Sequence, residues 1–262
     1  MRRYAAMFER LRAREEGAFG AFLMLGDPDL DTSTMLLDAL IEGGADMIEV
    51  GIPFSDPIAD GPVIQAAAQR ALSAGVRVGD CFDLISSFRE RHGNVPVGIL
   101  TYANLVVARG KEQFMRTAAQ VGADSLLVAD VPALEAEPWT DAMRSAGIEP
   151  VLIAAANTPD GTLQRIASLT QAYTYCVSRG GVTGTHATGN FDSLLIARLK
   201  HLNAAPPVFG FGVSTPVQVQ SAVGAGAAGV IVGSAIAKLV QGALGPSRIV
   251  EFVATMKAAT ML

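Results

Sequence analysis

The chain has 262 residues, 50% of them hydrophobic and 17% charged, so it can bury a large core and is not a disordered protein. Its 20 Lys and Arg residues face 25 Asp and Glu residues with no long basic run, which argues against a nucleic-acid partner, and neither a membrane span nor an apolar signal peptide is apparent. It has two cysteines, Cys81 and Cys176, and no CxxC motif, so we expect no disulfide framework, no thiolate zinc site and a cytoplasmic location.

The chain begins with an amphipathic helix at Tyr4–Glu15, in which Met7 and Leu11 share one face. Eight short apolar segments follow, each bounded by Gly, Pro or Asp and each too apolar for a half-exposed strand. We interpret them as parallel strands buried on both faces. They are predicted at Phe19–Leu25, Met47–Gly51, Val97–Thr101, Ser125–Val128, Pro150–Ala154, Tyr173–Val177, Val208–Phe211 and Gly229–Val232.

Segments of helical period separate these strands. The predicted helices are Thr32–Glu42, Pro62–Ala74 with Asp80–Arg91, Lys111–Gln120, Glu135–Ala146, Asp160–Ser168, Asp192–Leu202, Thr215–Val223 and Pro246–Ala258. Three helix-to-strand joints resemble one another, because each places Gly-Ala before a strand, where glycine can take the left-handed conformation that ends a helix. The joints are GGADMIEV at 43–50, VGADSLLV at 121–128 and AGAAGVIV at 225–232.

Eight strand–helix units in 262 residues average about 33 residues each, near the size of a βα unit with its connections. This pattern predicts an α/β fold, a single-domain (β/α)8 TIM barrel spanning residues 1–262. The alternative fold is an open doubly wound sheet. The first βα turn, LMLGDPD, has no GxGxxG fingerprint of the kind that such sheets carry.

Glycine-rich loops follow the sixth, seventh and eighth predicted strands, at 178–185, 209–214 and 232–238. Ser234 follows the last strand and can begin a short extra helix, Ala235–Val240, whose free N–H groups attract an anion. Barrel enzymes commonly bind phosphate at this place. The alternative is that the glycines only form tight turns. We predict a phosphate held by backbone N–H groups of Gly184, Gly212, Gly233 and Ser234.

Carboxylates follow or interrupt the predicted strands, at the end of the barrel where TIM-barrel active sites lie. Glu49 lies inside an apolar strand, where burial would raise its pKa toward the range useful for proton transfer, unless it is a structural glutamate bonded to the backbone. The loop 51–62 carries Asp56 and Asp60. Asp60 is either functional or a helix cap, and Asp130 is either functional or a turn residue.

Residue types that are absent from the predicted strand ends also exclude some classes of reaction. The four lysines all fall in predicted helices, which disfavours a Schiff-base aldolase, and the three histidines form no metal-ligand cluster, so we expect no metal site. The pattern favours carboxylate acid–base chemistry on a phosphorylated substrate. Apolar residues at strand ends would suit a flat aromatic group. They are Phe22, Leu100, Leu127, Ile153, Tyr175 and Phe211.

The segment GADMIEVGIPFSDPIADGPVIQAA at 44–67 resembles the signature of tryptophan synthase alpha subunits, and the resemblance covers almost the whole chain. It continues in LGDPD at 25–29, TYANLV at 101–106, VGADSLLVADVP at 121–132, YTYCVSRGGVTG at 173–184, FGFGVSTPVQV at 209–219 and AGAAGVIVGSAIAK at 225–238. This family is a (β/α)8 barrel that cleaves indole-3-glycerol phosphate to indole and D-glyceraldehyde 3-phosphate.

The resemblance implies a role for several residues. Glu49 would be the general acid/base, Asp60 would accept the indole N–H, and Thr183 would meet Asp60 when the loops close. It also implies an α2β2 complex with a PLP-dependent beta subunit, which receives the indole through a tunnel, and no cofactor in this chain. The interface would include Pro53, Phe54, Asp56, Tyr102 and Asn104.

The sequence departs from the familiar family pattern at Thr101, at the pair Ala155–Ala156, at Gly180 and at His186–Thr188. These departures could change the rate of loop closure and the strength of coupling to the partner. None of them replaces Glu49 or Asp60, so the expected reaction is unaffected. Two other hypotheses stay open. One is a different phosphate-binding barrel enzyme, such as a sugar-phosphate isomerase, and the other is a non-catalytic activator of a beta subunit.

Overall fold

The computed structural model describes residues 2–177, 191–243 and 245–261. Parallel strands form one sheet, and helices lie between consecutive strands except between β5 and β6. The strands are β1 Ala18–Met24, β2 Met47–Gly51, β3 Val97–Thr101, β4 Ser125–Val128, β5 Glu149–Pro150, β6 Leu152–Ala155, β7 Thr174–Val177, β8 Pro207–Phe209 and β9 Gly229–Val232. All eight predicted strand positions are therefore confirmed, with ends that differ by two residues at most.

The fifth predicted strand is divided into β5 and β6 by Val151. The two pieces lie at opposite ends of the sheet order, β5-β4-β3-β2-β1-β9-β8-β7-β6, so the chain itself joins the two edges. β5 pairs with β4, and β6 pairs with β7. The Val151 N–H still donates to the Leu126 carbonyl at 3.1 Å. The sheet therefore closes into the predicted (β/α)8 TIM barrel.

The helices match the predicted pattern, with one addition. They are α1 Arg3–Arg12, α2 Leu30–Glu42, α3 Pro62–Ser73, α4 Val78–Arg91, α5 Ala103–Ala108, α6 Lys111–Gln120, α7 Glu137–Ser145, α8 Asp160–Leu169, α9 Ser193–His201, α10 Pro216–Gly224, α11 Ser234–Gln241 and α12 Pro246–Ala258. The sequence did not predict α5. The N-terminal helix ends at Arg12 rather than Glu15, because Glu15 takes a left-handed φ of 56°.

The three Gly-Ala joints have the predicted conformation. Gly44, Gly122 and Gly226 have φ values of 97°, 88° and 98°, in the left-handed region that favours glycine. Each glycine turns the chain from a helix into the next strand. The same turn therefore recurs before β2, β4 and β9.

Side chains of the strands alternate between two packed layers. In β2, Ile48 and Val50 pack against the surrounding helices, whereas Met47 lies in the cluster inside the barrel. Because alternate side chains of a strand point to opposite faces, Glu49 shares the inward face of Met47. Helix α1 adds Tyr4 and Met7 to the inner cluster. The expectation of a single domain over residues 1–262 stays a prediction.

Candidate active site

A cavity of about 410 Å³ opens where the strands end. The carboxyl ends of parallel strands meet at one rim of a barrel, and the loops that follow β2, β8 and β9 all contribute to this cavity. It brings together most of the residues that the sequence singled out. These are Phe22, Glu49, Asp60, Leu100, Tyr175, Phe211, Gly212, Gly233 and Ser234.

Glu49 is the buried carboxyl group of the cavity, with only 2% of its surface exposed. Its Oε1 accepts a hydrogen bond of 2.9 Å from the Tyr173 hydroxyl, whereas its Oε2 has no hydrogen-bond partner in the described part of the chain. The pKa of Glu49 is raised to about 8, mainly by burial and also by the nearby Asp60, while the hydrogen bond from Tyr173 lowers it. At neutral pH the Glu49 carboxyl therefore carries a proton next to an open cavity.

Asp60 is the second carboxyl group of the cavity, at the end of the loop between β2 and α3. Burial raises the pKa of Asp60 to about 6, and a hydrogen bond with the Tyr102 hydroxyl works in the opposite direction. The N-cap of α3 is Gly61, and it has no side-chain cap. Asp60 therefore does not serve as the helix cap that was its alternative role. At neutral pH, Asp60 is mostly ionised and Glu49 mostly protonated.

Glycines and a helix start form the other side of the cavity. Gly212 takes a left-handed φ of 82°, and Gly233 is the N-cap of α11 without any side-chain cap. An ideal Cβ on Gly233 would lie 3.3 Å from the Phe22 side chain, so little room exists there for a larger residue. Helix α11 starts at Ser234, one residue before the predicted start. Because its N-cap is Gly233, no side chain at the N-cap pairs with the first N–H groups of the helix.

Two predicted pocket residues lie elsewhere. Leu127 and Ile153 line a second cavity of about 290 Å³, between the ends of β4 and β6. Leu127 still belongs to the inner cluster that contains Phe22 and Tyr175, and Ile153 packs against that cluster. Gly184 and Thr183, and the departures at Gly180 and at 186–188, lie outside the described residues. Their assigned roles stay predictions.

The segments expected at a partner interface are only partly exposed. Asp56 and Asn104 are exposed, Phe54 is half-buried, and Pro53 is buried. Tyr102 is also buried, with 2% of its surface exposed, and its ring lies 5.3 Å from the Phe54 ring. Its hydroxyl accepts a hydrogen bond of 3.2 Å from the Ala59 N–H and contacts Asp60. Tyr102 therefore supports the loop that carries Asp60.

Sequence reasoning missed several side chains of the site, and two of them carry polar groups that bear on its chemistry. Tyr173, which donates to Glu49, has the same inward parity in the chain as Tyr175, so strand alternation could have found it. Lys238 lines the cavity from the side of α11. The sequence correctly placed Lys238 on a helix, but no signal indicated that this face of the helix borders the cavity.

Asp130 has a structural contact. Its Oδ1 accepts a hydrogen bond of 2.7 Å from the Ala103 N–H, at the start of α5. This contact favours the turn interpretation of Asp130 over a role in catalysis. Across the three described ranges, no three His, Cys, Asp or Glu side chains are grouped as a metal site. No helix within those ranges is long and apolar enough to cross a membrane.

Gly210 gives a direct test of the cavity wall. An ideal Cβ at this position would lie 1.9 Å from the Tyr175 ring, which is an overlap and not a contact. We expect Gly210→Ala to displace the Tyr175 ring, to destabilise the protein by about 1–3 kcal/mol and to weaken ligand binding. Denaturant unfolding and ligand titration measure these effects. Gly161→Ala is the matched control, because its Cβ would meet no atom within 4 Å beyond its chain neighbours and the nearby backbone of its own helix. Unchanged stability and binding in Gly210→Ala would contradict this geometry.

Comparisons with known proteins show which proteins the chain resembles. A family model described as tryptophan synthase alpha chain matches residues 8–260. The chain is 47% identical to the tryptophan synthase alpha chain of Escherichia fergusonii, over 99% of both chains, and 49% identical to that of Shewanella amazonensis, over 99% of this chain and all of the relative. Tryptophan synthase from Mycobacterium tuberculosis is a structural neighbour with a TM-score of 0.91 and 30% identity, over 100% of this chain and 99% of that one. Tryptophan synthase subunit alpha from Legionella pneumophila has a TM-score of 0.90 and 27% identity, over 99% of this chain and 98% of that one.

Proposed function

The chain belongs to the tryptophan synthase alpha chain family, which acts in tryptophan biosynthesis with a beta subunit, and from this premise we propose its reaction. It cleaves indole-3-glycerol phosphate into indole and D-glyceraldehyde 3-phosphate, as a carbon–carbon lyase. One observation carries the proposal. The buried Oε2 of Glu49, which has no hydrogen-bond partner among the described residues, borders the same cavity as Gly212, Gly233 and the start of α11.

Glu49 is proposed to transfer both protons of the cleavage. A pKa of about 8 keeps its carboxyl protonated at neutral pH, so it donates its proton to carbon 3 of the indole ring. The resulting carboxylate then removes the proton from the glycerol hydroxyl next to the bond that breaks. The electrons of that carbon–carbon bond return to the cationic ring, which leaves as indole, and the glycerol carbon becomes an aldehyde. Glu49 ends the cycle protonated, as it began.

Asp60 is proposed to stabilise the cationic ring. Protonation of carbon 3 places a positive charge on the indole nitrogen, and a carboxylate that accepts the N–H lowers the energy of that state. With a pKa of about 6, Asp60 is mostly ionised at neutral pH. The two carboxyl groups therefore hold different charges in one cavity, which matches one proton donor and one electrostatic stabiliser.

The remaining lining is proposed to bind the rest of the substrate. Backbone N–H groups of Gly212, Gly233 and Ser234, with Gly184 as predicted, would hold the phosphate, since a helix N-terminus attracts an anion. Phe22, Leu100, Tyr175 and Phe211 would contact the indole ring. Leu127 and Ile153 would contribute only indirectly, through the inner cluster.

The partner in this proposal is a PLP-dependent beta subunit in an α2β2 complex, and this chain needs no cofactor of its own. Exposed apolar side chains support such an interface at the rim. Ile58, Val107 and Leu134 are 75%, 59% and 67% exposed, and they follow the neighbouring strands β2, β3 and β4. A cytoplasmic location belongs to the same proposal and is supported by the two free thiols, Cys81 and Cys176.

Turnover of indole-3-glycerol phosphate by the purified chain, with and without a purified beta subunit, tests the proposed function. We expect slow release of indole from the chain alone and a large increase on addition of the partner. No indole in either assay would contradict the proposal. Isomerisation of a sugar phosphate would identify a different barrel enzyme. Activation of the beta subunit without any indole release would identify a non-catalytic activator.

A further inference from the structure

We propose that Lys238 is a further substrate-binding residue of this site, whose ammonium group pairs with the phosphoryl oxygens of the substrate. The proposal rests on the proposed function for the identity of that substrate, but concerns only its phosphoryl group. The phosphate prediction from the sequence used backbone N–H groups alone. Lys238 would add a full positive charge to them.

The geometry of α11 places Lys238 beside the predicted phosphate position. Ser234, Ala235, Lys238 and Leu239 all line the cavity. Residues four apart lie on the same face of a helix, so Lys238 stands one turn beyond Ser234. Side chains of a helix tilt toward its N-terminus. This tilt would direct the long side chain of Lys238 toward the N–H groups at the start of α11.

The charges of the cavity favour a cation next to the predicted phosphate position. The described lining contains two carboxyl groups, Glu49 and Asp60, and Lys238 is its only basic side chain. A phosphate monoester brings about two negative charges of its own. Coulomb repulsion between that group and an ionised Asp60 would oppose binding in a partly desolvated cavity. An ammonium group at the phosphate end offsets this repulsion.

Lys238 is also available for such a contact. Within the described ranges it forms no ion pair with a carboxylate. By contrast, Lys257 is held by Glu16 and Asp46, both at 2.9 Å, and Lys111 lies 4.0 Å from Glu112. A second observation, which does not depend on helix α11, also indicates that this cavity binds a ligand. It is the buried Oε2 of Glu49, which has no partner among the described residues.

The experiment compares Lys238→Met with Lys238→Arg and with the control Lys200→Met. Lys200 is exposed near the end of α9, does not line the cavity and forms no ion pair in the described ranges. Calorimetric titration with glycerol 3-phosphate measures phosphate binding without catalysis. Turnover of indole-3-glycerol phosphate with the beta subunit gives KM and kcat. Thermal unfolding checks that each variant is folded.

For Lys238→Met we expect about tenfold weaker binding of glycerol 3-phosphate and a similar rise in KM. The value of kcat should stay within about twofold, because the phosphoryl charge does not change during the reaction. Lys238→Arg should recover most of the affinity, and Lys200→Met should resemble the wild type. The wild-type affinity should also fall more steeply with added salt than that of Lys238→Met.

Wild-type affinity and KM in Lys238→Met would overturn the proposal, even if indole is released normally. Conversely, if the wild type binds glycerol 3-phosphate, loses that binding in Lys238→Met and releases no indole, Lys238 keeps its role and the proposed reaction fails. If the wild type cleaves the substrate but glycerol 3-phosphate binds too weakly to measure, KM alone decides. A wild type that neither binds nor reacts would contradict both proposals.

Discussion

Replacing Glu49 by glutamine should lower kcat for indole-3-glycerol phosphate cleavage by roughly 10²- to 10⁴-fold, the usual contribution of a general acid or base. Glutamine has nearly the same shape and can still accept the hydrogen bond from Tyr173, but it has no proton to donate and cannot take one. KM should change little, because the phosphate and apolar contacts of the cavity remain. Steady-state kinetics with the beta subunit present measure both constants.

Glu149→Gln is a matched control for that experiment. Glu149 is also buried, and burial raises its pKa as well, but it lies at the start of β5 beside Arg2, at the opposite end of the barrel. If the loss of any buried carboxyl group lowered turnover, both variants would therefore show the decrease. We expect a large loss of turnover only in Glu49→Gln. Near-normal turnover in Glu49→Gln would remove Glu49 from the mechanism.

Because Glu49 is buried, its ionisation should lower the free energy of unfolding, and this loss should grow with pH. Its pKa rises from 4.5 in the unfolded chain to about 8 in the folded protein, so between these values the folded state binds more protons. Stability then falls as pH increases, from no penalty below 4.5 to the full penalty above about 8. Because one pH unit corresponds to about 1.4 kcal/mol, wild type should lose a few kcal/mol relative to Glu49→Gln across this window.

Denaturant unfolding of both proteins at several pH values measures that difference. Tyr173→Phe provides a control, because its hydroxyl bond lowers the pKa of Glu49. Removing this hydroxyl should extend the loss of stability to higher pH in wild type. In the Glu49→Gln background, the same substitution should have no such effect. A difference between wild type and Glu49→Gln that stays constant with pH would show that Glu49 is not desolvated in the folded chain.

The barrel itself could be predicted because buried parallel strands and their bounding glycines leave strong local patterns. The glycines at 44, 122 and 226 take left-handed conformations as predicted. The division of the fifth strand at Val151 left no such pattern, because it depends on how the two ends of the sheet meet. Helix α5 was missed because it has only six residues, too few for a helical period to be visible.

The inward direction of Glu49 was also predictable, since strand alternation couples it to its neighbours Met47 and Ile48. Strand alternation from Tyr175 would also have placed Tyr173, the hydrogen-bond partner of Glu49, on the inward face. Leu127 and Ile153 show the limit of that rule. They have inward parity, but which side chains border a particular cavity depends on the shape of the whole barrel. Lys238 reaches the cavity from a helix, a relation that only tertiary packing determines.

The most direct measurement is a pH titration of the Glu49 carboxyl itself, as the infrared difference between wild type and Glu49→Gln. The protonated carboxyl has a C=O stretching band that disappears on ionisation. If a buried acid is the proton donor of this site, that band should be present at neutral pH and should titrate near pH 8. A Glu49 band that is already lost around 4.5, its ordinary pKa, would contradict the account.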